Sequence, residues 1–156
     1  MNKGLPYKTS VGIPFVLRYP AKVPAGKVID TAYTTVDFFP TLMGLMGISD
    51  GLPKLHGLNA SIAYTNKKKE IGKGRIVYVR HSGGAWVAAF DRRYKLVIST
   101  SDKPWLFDLQ KDPDELVNFY GRDEYKDEFT RLEKELKRQM VKYGEPALLE
   151  KKLRFQ

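Results

Sequence analysis

Apolar and polar residues alternate most regularly in the second half of the chain, where they predict a sheet followed by a helix. Short runs rich in β-branched and aromatic residues occupy positions 75–80, 85–90, 94–99 and 105–108. The brief, turn-forming connections between these runs indicate an antiparallel meander. Residues 123–143 then carry apolar side chains at intervals of three or four, which is the pattern of an amphipathic helix. One such helix on one face of a four-stranded sheet makes a compact two-layer unit.

The first half of the chain predicts elements that cannot form a folded unit by themselves. Residues 13–19 are a short, mostly apolar run, typical of a strand buried in a larger sheet, and residues 34–46 predict a helix. The apolar face of this helix contains Val36, Phe39, Leu42, Met43 and Met46. A buried strand needs neighbours on both sides, and the first half predicts none. We therefore interpret residues 1–64 as the edge of a larger sheet domain and residues 65–156 as a self-sufficient subdomain.

The charge balance favours an anionic partner. Lys and Arg total 27 against 18 Asp and Glu, which gives a net charge of +9. Such an excess attracts sulfated, phosphorylated or nucleic-acid partners. The densest basic cluster, at residues 67–75, is interrupted by Glu70 and by glycines, so it indicates a solvated loop rather than a nucleic-acid interface. No apolar run is long enough to span a membrane, so we expect neither nucleic acid nor a membrane as a partner.

Residue spacing alone identifies no catalytic centre. The chain has no cysteine, which excludes disulfides and thiolate metal sites. Its two histidines, His56 and His81, lack the H-x-x-x-H spacing or the acidic cluster of a metal site. Ser82 lies beside His81, but no orienting acid can be identified for that pair. Hence we assign no metal ligand and no cofactor-binding residue.

Three stretches, in a fixed order, carry longer motifs. They are K-G-L-P-Y at residues 3–7, T-V-D-F-F-P-T-L at residues 35–42, and Y-K-L at residues 94–96 followed by W-L-F-D-L-Q-K-D-P-D-E-L-V-N at residues 105–118. They resemble the K-G-x-x-(Y/F)-E, V-D-(L/I)-x-P-T-(L/I) and Y-K-L … L-Y-D-L-x-x-D-P-x-E-x-x-N-L motifs of type I sulfatases. These enzymes are the arylsulfatase-like members of the alkaline phosphatase superfamily. The chain is similar to the carboxy-terminal part of such an enzyme.

This resemblance implies an α/β fold, of which the chain holds an α+β part. In sulfatases a large mixed sheet carries the active site, and a smaller antiparallel sheet with a terminal helix packs on it. Residues 1–64 would supply the last strand and helix of the large catalytic domain. Residues 65–156 would be the four-stranded antiparallel carboxy-terminal subdomain. An exposed edge of the large-domain piece would favour self-association.

The resemblance also implies roles for individual residues. Lys3 occupies the position of the family lysine that contacts the sulfate group, where an ammonium offers three donors and stabilises charge on the ester oxygen. His56 and His81 are candidate substrate-binding residues, because the segment around His56 approaches the substrate in relatives and the small domain borders the cleft. Trp86 also lies on the small domain and is a candidate for the same reason. Lys8 departs from the family pattern, which has Glu there.

Catalysis in sulfatases requires groups that this sequence does not encode. The family hydrolyses sulfate esters with a formylglycine made from the Cys or Ser of (C/S)-x-P-S-R, beside a calcium ion held by acidic residues. No such motif occurs in the chain. We therefore expect a portion of a sulfuric ester hydrolase that acts on a sulfated small molecule or glycan and is inactive alone. The alternatives are a phosphodiesterase or phosphonate hydrolase of the same superfamily, and a remnant that binds sulfated glycans.

Two acidic residues inside the motifs have a simpler interpretation than metal binding. Asp37 stands at the start of the predicted helix and Asp112 stands before a proline turn. Acidic side chains cap helix starts and close turns of this kind. We expect both to be capping and turn residues.

Overall fold

The computed structural model describes residues 4–66, 70–146 and 153–155, and the chain falls into two compact units. One unit combines the described residues before Pro14 with those from Ile76 onward, and the other is Pro14–Arg75. We call them the sheet unit and the Pro14–Arg75 unit. Their bounds differ from the division at residue 64, because residues 4–13 pack with the carboxy-terminal sheet. The assignment of residues 1–64 to a catalytic domain stays a prediction.

The sheet is a meander of four antiparallel strands in the order β1-β2-β3-β4. The strands are β1 (Val77–Arg80), β2 (Trp86–Phe90), β3 (Tyr94–Ser99) and β4 (Trp105–Asp108). Val87 faces Ile98 across β2 and β3, and Leu96 faces Leu106 across β3 and β4. The predicted meander is confirmed, since alternating side chains of consecutive strands meet on the same face of the sheet.

The described residues form the helices α1 (Lys8–Val11), α2 (Phe38–Met46), α3 (Ser61–Thr65) and α4 (Lys126–Lys142). A 3-10 turn precedes α2 at Thr35–Asp37 and another precedes α4 at Asp123–Tyr125. The predicted helix at 123–143 is thus confirmed, with a 3-10 first turn. Within the described ranges, none of the helices combines the length and the apolar character that crossing a bilayer requires.

Helix α4 covers one face of the sheet. Its side chains Leu132, Leu136 and Met140 are fully buried against the strands. The sheet contributes Val87, Ala89, Leu96, Ile98 and Leu106 to the same core. This is the two-layer arrangement that the apolar spacing of the helix predicts.

The opposite face of the sheet is covered by the amino-terminal segment, which we define as residues 4–13. Trp86, Ala88, Val97 and Phe107 form this face, with Tyr7 and Val11 packed against it. The sequence pattern did not predict this layer, because the segment is short and broken by Gly4 and Pro6. Both faces of the sheet are therefore buried within the sheet unit, one by a helix and one by a segment that is distant in sequence.

The Pro14–Arg75 unit departs from the prediction in two respects. Residues 13–19 are not a strand. No described strand pairs with their backbone, and Val16 is 92% exposed. An apolar run becomes a strand only when another backbone bonds its N–H and C=O groups. Helix α2 buries Leu45 at 3% exposure, whereas the predicted face residues Phe39 and Met46 are 45% and 54% exposed. The helix itself is confirmed and ends, as expected, at Gly47, whose φ is 78°.

Candidate functional site

The backbone that directly follows Lys3 is fixed to the sheet. The carbonyl of Gly4 accepts a hydrogen bond from the indole N–H of Trp86 at 2.7 Å. Further along the segment, the ring of Tyr7 stacks on that of Trp105 with centroids 5.7 Å apart. Lys3 itself lies outside the described residues, but it is bonded to Gly4. The sheet unit thus fixes the backbone of Gly4, the residue that follows Lys3 in the sequence.

A buried ion pair holds the same segment at a second place. Lys95 of β3 and Glu115 have side chains 5% and 1% exposed, and their charged groups are hydrogen-bonded to each other. The ammonium of Lys95 also donates to the carbonyl of Pro6 at 2.5 Å. The other oxygen of Glu115 accepts the backbone N–H of Lys8 at 2.5 Å. The pair therefore binds one carbonyl and one amide of the amino-terminal segment.

Burial determines the electrostatics of this pair. Desolvation lowers the pKa of the Lys95 ammonium below its ordinary value, and the hydrogen bond and charge of Glu115 oppose that shift. Glu115 has φ of 58°, a left-handed conformation that non-glycine residues rarely adopt. Its turn is closed by Asp112, whose carboxylate accepts the N–H of Val117 at 2.7 Å. The turn role expected of Asp112 is confirmed.

Lys8, which replaces the glutamate usual in sulfatases, docks through its backbone. Its amide N–H reaches Glu115 while the residue is exposed. The docking of helix α1 consequently does not depend on the charge of the side chain at this position.

His81 lies beside Trp86, the residue whose indole N–H donates to the carbonyl of Gly4. The imidazole of His81 lies 5.8 Å from the ring of Trp86, between centroids. Its Nδ1 accepts the backbone N–H of Gly83 at 3.1 Å, so in the neutral ring Nε2 carries the proton. His81, Trp86 and the backbone that follows Lys3 therefore form one cluster at the start of β2.

His56 lies in the Pro14–Arg75 unit, on the loop that reaches the buried carboxylate of Asp37 through Leu58. Asp37 is 1% exposed, and its two oxygens accept hydrogen bonds from the guanidinium of Arg75 at 2.7 and 2.8 Å. It also accepts the backbone N–H of Leu58 at 2.7 Å and that of Thr34 at 2.8 Å. The capping role expected of Asp37 is confirmed, and the ion pair with Arg75 is an additional finding.

The electrostatics of Asp37 follow from these donors. Burial acts to raise the pKa of the carboxyl, but the hydrogen bonds from Arg75, Leu58 and Thr34 outweigh it and hold the pKa below its ordinary value. The carboxylate is thus charged at neutral pH and fully occupied by protein donors. It fixes the loop that carries His56 and has no capacity left for a ligand.

A shallow groove of about 560 Å³ lies in the same unit, beside helix α2. Its lining is Pro40, Gly44, Gly47, Ile48, Ser49, Leu52, Pro53, Leu55, Gly57, Asn59 and Ser61. None of these residues is charged. The groove therefore provides no cationic side chain to pair with a sulfate group.

The described residues do not fit a calcium site. No three His, Cys, Asp or Glu side chains in this part of the chain lie together as metal ligands would. The buried carboxylates instead face cations, as in Asp37 with Arg75, Asp108 with Arg93 and Glu115 with Lys95. Such pairs satisfy a buried carboxylate without a metal.

Sequence reasoning named His81 and Trp86 as candidates, and it did not name Lys95 or Glu115. The available signal was that Lys95 belongs to the Y-K-L stretch and Glu115 to the D-P-x-E stretch. The motifs contain the residues that meet the amino-terminal segment in space.

Comparisons with known proteins identify the family of this chain. A family model described as N-sulphoglucosamine sulphohydrolase, C-terminal, matches residues 1–142. An endo-4-O-sulfatase from Bacteroides thetaiotaomicron is 27% identical over 177 residues, covering 96% of this chain and 33% of that protein. An arylsulfatase from Clostridium perfringens is 30% identical over 145 residues, covering 85% and 28% respectively. The chain thus spans about a third of the length of these curated relatives.

A solved structure shows which fold the chain shares. It is described as a complex with its substrate, D-glucosamine-2-N,6-O-disulfate, and it superposes with a TM-score of 0.67 at 24% identity. The match covers 81% of this chain and 28% of that one. The expected α+β part of a sulfatase fold, with its four-stranded sheet and terminal helix, is confirmed. Since the family model matches most of its length, the chain belongs to the family of N-sulphoglucosamine sulphohydrolase carboxy-terminal domains, the carboxy-terminal region of type I sulfatases.

Proposed function

We propose that this chain is the carboxy-terminal region of an enzyme that hydrolyses sulfate esters, and that Lys3 contacts the sulfate group. The observation that supports this most directly is the hydrogen bond from Trp86 to the carbonyl of Gly4, 2.7 Å long. It fixes the backbone next to Lys3 to a rigid strand. A lysine attached to a fixed backbone can hold an anion and stabilise charge that develops on the ester oxygen.

His81 is the second residue of the proposed site. It packs on Trp86, and its Nδ1 is occupied by Gly83. Its Nε2–H is then the ring donor that would bind a sulfate or sugar oxygen. We also propose, from the resemblance to sulfatases, that His56 binds the substrate.

The proposed substrates are sulfated sugars. The relatives include an endo-4-O-sulfatase, and the solved neighbour holds a disulfated glucosamine. A net charge of +9 is consistent with attraction of such anions. Because the sequence lacks (C/S)-x-P-S-R, a nucleophile and its metal ligands would have to come from residues outside this chain.

The test measures sulfate release by the intact protein, meaning the full product of the reading frame that contains this sequence. With 4-nitrophenyl sulfate and with 6-sulfated glucosamine as substrates, Lys3→Ala is expected to lower kcat/KM by about 10²–10³. Lys134→Ala, which removes an exposed lysine of helix α4, is the matched control and should leave kcat/KM unchanged. Phosphate esters are assayed in parallel.

Two outcomes would overturn the proposal. Faster turnover of the phosphate esters would indicate a phosphodiesterase or phosphonate hydrolase. Equal activity of Lys3→Ala and the control would remove Lys3 from the site. The polypeptide of residues 1–156 on its own is expected to release no sulfate, and measurable release by it would contradict the proposed need for residues outside the chain.

A further inference from the structure

The amino-terminal segment is held by two groups of opposite polarity. The ammonium of Lys95 donates to the carbonyl of Pro6, and the carboxylate of Glu115 accepts the amide N–H of Lys8. The ammonium and the carboxylate are also bonded to each other. A donor at one peptide group and an acceptor two residues later fix both the position and the direction of the segment.

A stabilising role alone does not account for this arrangement. A buried ion pair contributes little to stability relative to apolar residues of the same volume, because desolvation offsets the attraction between the charges. Apolar residues at these positions would leave the carbonyl of Pro6 and the amide of Lys8 without the partners they have now, so the pair serves to hold the amino-terminal segment.

Glu115 adds a second, independent observation. Among the described residues it is the only non-glycine residue with positive φ, at 58°. Strained backbone of this kind persists where the surrounding structure holds it, and it is concentrated at functional sites. Here the strained turn aims a carboxylate, 1% exposed, at the backbone of the amino-terminal segment.

We propose that Lys95 and Glu115 are positioning residues for Lys3: they clamp the segment at Pro6 and Lys8 and so fix where the lysine meets the sulfate group. This inference rests on the proposed function and extends it to residues of the carboxy-terminal sheet. The clamp acts on the transition state through geometry, since misplacement by about 1 Å can cost on the order of 10²-fold in rate.

The test uses the intact protein with both residues replaced by apolar ones, as Lys95→Met with Glu115→Leu. Removing both charges avoids leaving a lone buried ion. We expect kcat to fall by about 10–100-fold while KM changes less than about 3-fold, the pattern of an interaction made in the transition state. Amide hydrogen exchange of residues 8–11 should accelerate by more than about 10-fold, since the clamp restrains helix α1.

Arg131→Met is the matched structural control. It removes the cation of helix α4 that pairs at 2.5 Å with the carboxylate of Asp91 in the same unit, and it contacts no residue of the proposed site. We expect its kcat to remain within about 2-fold of the unaltered protein, because it does not touch the segment. A lower melting temperature in this variant with unchanged kcat would separate stability from positioning.

The outcomes distinguish the two proposals. If the unaltered protein shows no sulfate release, the proposed function fails. If the unaltered protein is active and the double variant keeps its kcat, the clamp does not position Lys3 and the further inference fails. Faster exchange at residues 8–11 with unchanged kcat also overturns it, and an equal loss of kcat in Arg131→Met does so as well.

Discussion

At the scale of single residues, Gly57 shows how closely the Pro14–Arg75 unit is packed around Asp37. A Cβ atom at Gly57 would lie 1.9 Å from the carbonyl oxygen of Val36 and 2.9 Å from the Cα of Asp37. The next residue, Leu58, donates its N–H to Asp37. The missing side chain therefore allows the loop that carries His56 to approach the buried carboxylate.

We predict that Gly57→Ala destabilises the chain by at least about 3 kcal/mol, since backbone atoms must move to admit the methyl group. Gly51→Ala is the control, because its φ is 72° and no atom lies within 4 Å of the added Cβ. It should cost only the roughly 1–2 kcal/mol of a left-handed alanine. Urea denaturation followed by far-ultraviolet circular dichroism measures both, and equal effects would contradict the proposed close approach.

At the scale of elements, helix α4 is held to the sheet by its apolar stripe. Leu136 is fully buried against the strands, whereas Val141 of the same helix is 71% exposed. We predict that Leu136→Ala lowers the free energy of unfolding by about 2–5 kcal/mol, through lost burial and the cavity left behind. Val141→Ala should change it by less than about 0.5 kcal/mol. Urea denaturation followed by tryptophan fluorescence compares the two, and similar values would contradict the packing described here.

The ion pair of Asp37 and Arg75 joins the 3-10 turn before α2 to the end of the Pro14–Arg75 unit. Because the folded-state pKa of Asp37 lies below its ordinary value of 3.8, the charged carboxylate stabilises the fold above that pH. This contribution is lost as the pH falls through the lower, folded-state value. We predict that Asp37→Asn costs about 3 kcal/mol at pH 6 and progressively less below pH 4. Thermal unfolding of both proteins at pH 6 and at a pH below 4 tests this. A difference in stability between them that does not change with pH would contradict the prediction.

The elements that could be predicted from sequence are those built by neighbouring residues. The four strands and helix α4 follow from local spacing, because each strand pairs with the next one along the chain. The docking of the amino-terminal segment depends on Lys95 and Glu115, and no local pattern indicates which distant backbone such residues bind. The run at 13–19 was wrongly predicted as a strand for the same reason: its apolar pattern is present, but no described residue pairs with it.

At the scale of the whole molecule, the Pro14–Arg75 unit leaves large apolar side chains exposed. Among its described residues, the buried hydrophobic ones are Ala32, Leu45, Ala60 and Ala63. Larger side chains are exposed: Val16 at 92%, Val28 at 82% and Phe38 at 51%. Phe15, 49% exposed, packs edge to face on Phe38 with ring centroids 5.7 Å apart, so exposed apolar side chains lie together here as they do at interaction surfaces. We propose that the rest of the intact sulfatase covers this surface.

We therefore predict that the polypeptide of residues 1–156, expressed alone, self-associates. Val16→Glu should lower the apparent association constant by about 10-fold or more, because a charge must then be desolvated in the contact. Val141→Glu, at a residue 71% exposed in the sheet unit, is the control and should have no effect. Sedimentation velocity over a range of protein concentrations measures this. A monomer at every concentration, or an equal effect of both substitutions, would contradict the prediction.

The amide of Lys8 and the carboxylate of Glu115 are separated by 107 positions in the chain. During synthesis at about 5–20 residues per second, roughly 5–20 s pass between the emergence of the two residues from the ribosome. The segment that emerges early therefore cannot make this contact until the turn after β4 has been synthesised. Docking of the amino-terminal segment is thus completed only after all four strands have been translated.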